Sequence, residues 1–262
     1  MPDRRPHTIL LPSSEGGPTA LVKRRCDGFT RHTRNSRFSQ EGATNVARSD
    51  SRGPALENLT FTTFLKLSLM PSTEGKFGII SRLINVPGGY DFYKRLKAAA
   101  QKVAGGEMLP DAVFDQLKTI KKDAERNHNL LMAKRFWNWW KELEGAVVAS
   151  PLPKGIYRQP DMNFGIKLSP ELIYAQDGQK LVTYLWATKF PRLTRQVAAI
   201  GLLVLKSELQ NQVPGARFQI LDLRQERVVG EEEISNKTPN LLQADIALLS
   251  SLWASASLPK AA

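Results

Sequence analysis

Residues 172–223 read LIYAQDGQKLVTYLWATKFPRLTRQVAAIGLLVLKSELQNQVPGARFQILDL, and this stretch decides the fold class. Asp177-Gly178 is a strong hairpin signal, because a tight two-residue turn needs positive φ at both positions. Leu172 to Tyr174 enters that turn, and Leu181 to Trp186 (LVTYLW) supplies the returning strand. Leu193, Val197, Ile200 and Val204 then mark a helix that is apolar almost all round, as a deeply buried helix must be. Arg217 to Leu223 (RFQILDL) alternates as a further strand. A turn at Gln225-Glu226 leads to a short return at Val228-Val229. Leu242, Ile246, Leu249 and Trp253 lie on one stripe of a last helix. Its simplest role is packing on the sheet, and pairing with a second subunit is the alternative.

Upstream, the texture is helical. Phe61, Phe64, Leu65 and Leu67 form an apolar patch, and Ile79, Ile80 and Leu83 suggest a short helix that stops before Pro87-Gly88-Gly89. Asp91 stands where a carboxylate suits a helix start. Phe92, Leu96, Ala99 and Val103 follow it at helical spacing, up to Gly105-Gly106. Val113, Phe114, Leu117, Ile120 and Ala124 continue the period, as do Met132, Phe136, Trp139 and Leu143, so two helices or one bent helix are expected. Phe136, Trp139, Trp140 and Leu143 share a face and read as core, which leaves Trp137 as a candidate exposed anchor. The expected class is α+β or α/β: a helical region at 58–150, then a small mixed sheet packed by helices at 151–262, in the order αββαβα. The two regions are expected to form one globular unit.

The 262 residues carry a formal charge of +12. Divided along the chain, the excess is +4 over 1–57, +5 over 58–150 and +3 over 151–262. No single basic module accounts for it. Residues 1–57 are rich in Arg, Ser, Thr, Gly and Pro and lack an apolar period, so a basic, disordered tail is expected. Within it Lys23, Arg24, Arg25, Arg31, Arg34 and Arg37 are the candidate nucleic-acid-binding residues, as cations that would neutralise phosphates. Arginine spacing alone reads no base sequence.

Cys26 is the one cysteine, so no intramolecular disulfide can form and no oxidising compartment is required; a cytoplasmic protein is expected. The longest apolar run, Val197 to Leu205, falls well short of the ~20 residues that span a bilayer, so no membrane partner is expected. His7, His32 and His128 are scattered, and no His/Cys metal site assembles from them. Pro87-Gly88-Gly89 matches neither phosphate-binding glycine pattern.

Pro170-Glu171 near the end of one strand, a hairpin, Ala187-Thr188-Lys189 at the end of the next strand, a helix carrying Gln196 and a further strand follow one another. In element order, residues 126–224 are similar to the core of the restriction-endonuclease-like nucleases. That resemblance implies two carboxylates holding Mg²⁺ and a lysine acting at the scissile phosphate. It would assign Glu171 and Lys189. Ala187 stands where the second carboxylate belongs, so the resemblance is to a degenerate site. Asp161, Asp177 or Asp222 would have to replace the missing acid, and Asp222 is the candidate on the strand after the buried helix.

Asp91-Phe92-Tyr93-Lys94, Trp139-Trp140, Pro153-Lys154-Gly155-Ile156-Tyr157 and Ser169-Pro170-Glu171-Leu172, in that order, also resemble an uncharacterised group of bacterial proteins over about residues 58–225. That likeness implies a compact bacterial cytosolic protein and no mechanism. The expectation is therefore a non-catalytic, soluble binding protein with a nucleic-acid or protein partner and no cofactor. The alternative is a Mg²⁺-dependent nuclease using Glu171, Lys189 and Asp222.

Overall fold

A computed structural model describes residues 57–85, 91–143, 146–149 and 151–258. Residues 1–56 of the expected tail, with its six candidate cations, Lys23 to Arg37, lie outside the described residues. The described residues all belong to one compact unit.

The chain runs β1 (Asn58–Thr60), α1 (Phe61–Leu69), α2 (Thr73–Asn85), α3 (Lys94–Ala104), α4 (Pro110–Lys118), α5 (Asp123–Lys141), then β2 (Val147–Val148), β3 (Gly155–Tyr157), β4 (Gly165–Leu168), β5 (Leu172–Gln176) and β6 (Gln179–Trp186). It continues with α6 (Arg195–Leu209), β7 (Arg217–Asp222), β8 (Arg227–Gly230) and α7 (Thr238–Ser257). The class is α+β.

The five-stranded sheet has the order β2-β5-β6-β7-β8. Asp177 (φ 50°) and Gly178 (φ 75°) make the predicted tight turn, and β5 returns antiparallel as β6. The crossover through α6 then sets β7 parallel to β6, in register from Leu181↔Arg217 to Trp186↔Asp222. Period-two alternation divides these strands between two cores. Ile173, Val182, Tyr184, Trp186, Phe218 and Ile220 face one core, with α1, α2, α6 and α7. Leu172, Tyr174, Leu185, Ala187, Leu221 and Leu223 face the other, with α3, α4 and α5. The sheet is therefore the middle layer, covered on both faces, which is why LVTYLW is apolar at nearly every position.

Local chemistry starts the helices at several points. Thr60 caps α1 by accepting from Thr63 N (3.2 Å), and Ser72 accepts from Gly75 N (3.1 Å) at the head of α2. Thr194 caps α6 through Val197 N (3.2 Å), and Pro110 opens α4. The period expected to run through Ile120 and Ala124 is broken at residues 119–122, between α4 and α5, while residues 127–129 lie inside α5, so the region holds two helices.

Four expectations are corrected. Among the described residues there are two mixed sheets rather than one, the second with order β1-β4-β3. Its strand β1 heads the helical region and pairs in parallel with β4, Asn58 against Gly165. Strands of three or four residues carry too little alternation to be read as such. Asp91 does not cap α3; Tyr93 holds that position, and Asp91 accepts from Tyr93 N (2.9 Å) in the preceding turn. Trp137 is half-buried against Pro110, Val113 and Phe114 between α4 and α5, so it is not an exposed anchor. Trp139 and Trp140 are only half-buried and meet Tyr174 edge-on at 6.0 and 5.4 Å.

Gly201 marks the closest approach of α6 to α1. A Cβ there would lie 2.9 Å from both Leu65 Cδ2 and Phe61 Cζ. Gly201→Val is expected to lower stability by about 1–3 kcal/mol through overpacking, measured as a shift in the urea midpoint at unchanged slope.

Candidate functional site

The start of β5 and the ends of β6 and β7 lie at one end of the sheet, because β5 is antiparallel and β7 parallel to β6. This end carries Glu171, Lys189 and Asp222.

Glu171 immediately precedes β5 and is buried. Leu172 pairs with Thr183, so the N–H of Leu185 on β6 lies beyond the first residue of β5. Glu171 Oε2 accepts that N–H at 2.8 Å, and its Oε1 lies 2.7 Å from Lys97 Nζ. The carboxylate thus completes a sheet edge with one oxygen and binds an ammonium with the other. Lys97, from α3, also donates to Tyr184 Oη (3.2 Å) and sits 4.7 Å from the centre of that ring. Tyr184 Oη bonds in turn to the Thr62 hydroxyl on α1, and Phe61 meets the ring edge-on at 4.6 Å. One polar chain therefore ties α3 to α1 around the end of β6.

Burial acts first on the Lys97 ammonium and alone would lower its pKa. The Tyr184 oxygen and the Glu171 carboxylate outweigh burial and hold it well above the ordinary lysine value. Burial raises the Glu171 carboxyl above the usual range, against the pull of Lys97 and the Leu185 N–H. Burial likewise raises the Tyr184 phenol. All three groups keep their protons more tightly than in an unfolded chain, and the ammonium is the charge that the cluster is built around.

Asp222 ends β7 with its side chain fully buried. Its Oδ1 accepts from the backbone N–H of Arg224 (3.0 Å) and Gln225 (3.1 Å), and its Oδ2 accepts from Gln225 Nε2 (2.5 Å). Arg227 Nε stands 3.9 Å from Oδ2. These bonds build the turn between β7 and β8, in which Glu226 adopts a positive φ of 51°.

Lys189 is exposed beyond the end of β6. Its N–H donates to Tyr93 Oη (3.3 Å), and its carbonyl accepts from the Arg224 guanidinium. Asp161 and Asp177 are exposed turn residues.

The structure does not gather Glu171, Lys189 and Asp222 around one centre. Strand β6 runs between the first and the last, which places their backbones about 10 Å apart, twice the strand spacing. Each buried carboxylate is already satisfied by groups of its own surroundings. Among the described residues no three His, Cys, Asp or Glu side chains converge as a metal site.

Sequence reasoning missed Lys97, Tyr184 and Thr62. A lysine next to Leu96 in a helical period reads as solvated, and nothing local announces a partner on a strand far along the chain. It also missed Arg135 as a structural cation. Its guanidinium donates to the carbonyls of Leu223 (3.2 Å) and Arg224 (2.7 Å), and its Nε meets Glu226 at 3.0 Å. His128 Nε2 donates to the Ala187 carbonyl at 2.7 Å.

No protein-family model matches the chain, and no curated protein matches it. Among the described residues no helix is long and apolar enough to cross a membrane.

Proposed function

We propose that the chain is a non-catalytic binding protein whose partner is a nucleic acid. One observation supports this reading above the others: at the end of the sheet, Glu171 and Asp222 turn inward and are satisfied there, whereas Lys189, Arg192 and Arg195 reach solvent. A Mg²⁺-dependent nuclease needs carboxylate oxygens free to coordinate metal and near one another. Here one oxygen pair holds Lys97 and Leu185, and the other holds a turn. Outward cations supply what a phosphate backbone requires, a salt-sensitive attraction that needs no chemistry.

The competing nuclease reading rests on the order of β5, β6, α6 and β7. One experiment separates the two. The full chain is titrated with labelled single- and double-stranded oligonucleotides at several salt concentrations, with and without Mg²⁺. Binding that weakens steeply with salt and leaves the oligonucleotides intact is expected. Mg²⁺-dependent cleavage that disappears in Glu171→Gln would replace this reading by the nuclease. Absence of binding at low salt would end the nucleic-acid assignment and leave a protein partner.

A further inference from the structure

The loop between β6 and α6 displays an aromatic side chain in a setting that packing does not explain. Phe190 is 68% exposed. An isolated apolar side chain at a surface is ordinary. What distinguishes Phe190 is its fixed cationic partner. The Arg224 guanidinium lies over the ring, its Cζ 4.7 Å from the ring centre, and it is anchored there by donating to the Lys189 carbonyl. With one side of the ring occupied and most of the side chain exposed, an open aromatic surface faces solvent.

The loop that carries it is held at several points. Lys189 N–H is bonded to Tyr93, and the Leu193 carbonyl accepts from Gln225 Nε2 (2.9 Å) and from the Arg227 guanidinium (2.7 Å). Thr194 then caps α6. A platform fixed in this way loses little entropy when it is covered. The charged side chains of the loop itself are all cationic. Lys189 and Arg192 are exposed on either side of Phe190, and Arg195 follows. The acids at hand are engaged: Glu233 with Arg195 (3.4 Å), Glu226 with Arg135, and Asp222 within its turn.

An open aromatic surface set among cations is the combination that binds single-stranded nucleic acid. The ring takes the face of a base, and the cations follow the phosphates. A duplex keeps its bases stacked on one another and offers the ring nothing to cover. We infer that Phe190, backed by Arg224, is a base-stacking platform for a single-stranded nucleic acid, with Lys189 and Arg192 contacting the flanking phosphates. This inference rests on the nucleic-acid reading above and narrows its substrate class.

The test uses the full chain and three labelled probes: a single strand, the same sequence as a duplex, and an abasic strand of equal length. Fluorescence anisotropy reads the affinities, and a thermal melt confirms that each variant is folded. Wild type is expected to bind the single strand more tightly than either other probe. Phe190→Ala is expected to weaken single-strand binding about tenfold and to leave abasic binding unchanged, while Phe190→Trp retains the preference. Lys189→Ala with Arg192→Ala is expected to reduce the salt slope for every probe by about two. If wild type binds nucleic acid but Phe190→Ala binds the single strand equally well, the platform is wrong and the broader reading stands. Tighter binding to the duplex overturns the single-strand assignment. If wild type binds none of the three, the broader reading itself has failed.

Discussion

Lys97→Met is expected to lower the unfolding free energy by about 3 kcal/mol, at the lower end of what removing one partner of a buried ion pair costs. The lower end applies because the Lys97 side chain is 21% exposed. The variant leaves the Glu171 carboxylate buried, with the Leu185 N–H as its remaining partner, and Tyr184 loses its cation. Adding Glu171→Gln to Lys97→Met should return much of the loss. The amide oxygen still accepts the Leu185 N–H, and no unpaired charge remains. Urea denaturation of wild type, both single variants and the double variant measures the coupling. If the double variant loses the sum of the two single losses, the pair is not the stabilising unit described above.

The same cluster gives a pH dependence with a definite sign. The native state holds the Lys97 proton more tightly than the unfolded chain does, so native protein binds more protons and stability falls as pH rises. The contribution is complete below 10.5, the ordinary lysine value, and is lost as pH climbs through the higher native value. Tyr184 adds to the loss in the same direction. In Lys97→Met the decline of stability above that pH should be shallower than in wild type.

Ending the chain at Lys237 is expected to abolish folding. Leu242, Ile246, Leu249 and Trp253 are buried, and Trp253 lies against Phe164 with ring centres 5.3 Å apart. At about 1.5–3 kcal/mol per large apolar side chain, their removal costs on the order of 6–12 kcal/mol. Whole domains are stable by about 5–15 kcal/mol. Circular dichroism of the shortened chain should show lost tertiary signal, whereas Trp253→Ala should stay folded but melt lower. A shortened chain that remains folded and differs from the full chain only in oligomeric state would overturn the core role of α7.

The elements legible in the sequence are those whose burial pattern is long enough to show a period. Leu181 to Trp186, with its hairpin turn, and Leu193 to Val204 predict β6 and α6 because each crosses a core layer completely. The stripe Leu242, Ile246, Leu249 and Trp253 predicts the packing of α7 for the same reason. β1 and β3 were illegible, since three residues show no alternation and their stability comes from β4. The candidate site was legible only as residue types. An acid at the end of an apolar strand looks alike whether its lone pairs meet a metal or its own turn, and Asp222 makes the second choice. Glu171 looked like an exposed strand-end carboxylate because its partner, Lys97, belongs to a helix on the far side of the α4–α5 segment. Phe190 was hidden by its neighbours, since an aromatic between a strand and a proline reads as the tail of that strand.

The pairing of β1 with β4 has a consequence for how the protein is made. Leu59 meets Ile166, so β1 waits for more than a hundred residues before its partner exists. At ribosomal speeds of about 5–20 residues per second, that interval is about 5–20 seconds. Throughout it the apolar side of α1, with Phe61, Phe64 and Leu65, has neither β4 nor α6 to cover it. A nascent chain in this state presents a greasy helix to whatever is nearby, chaperones included.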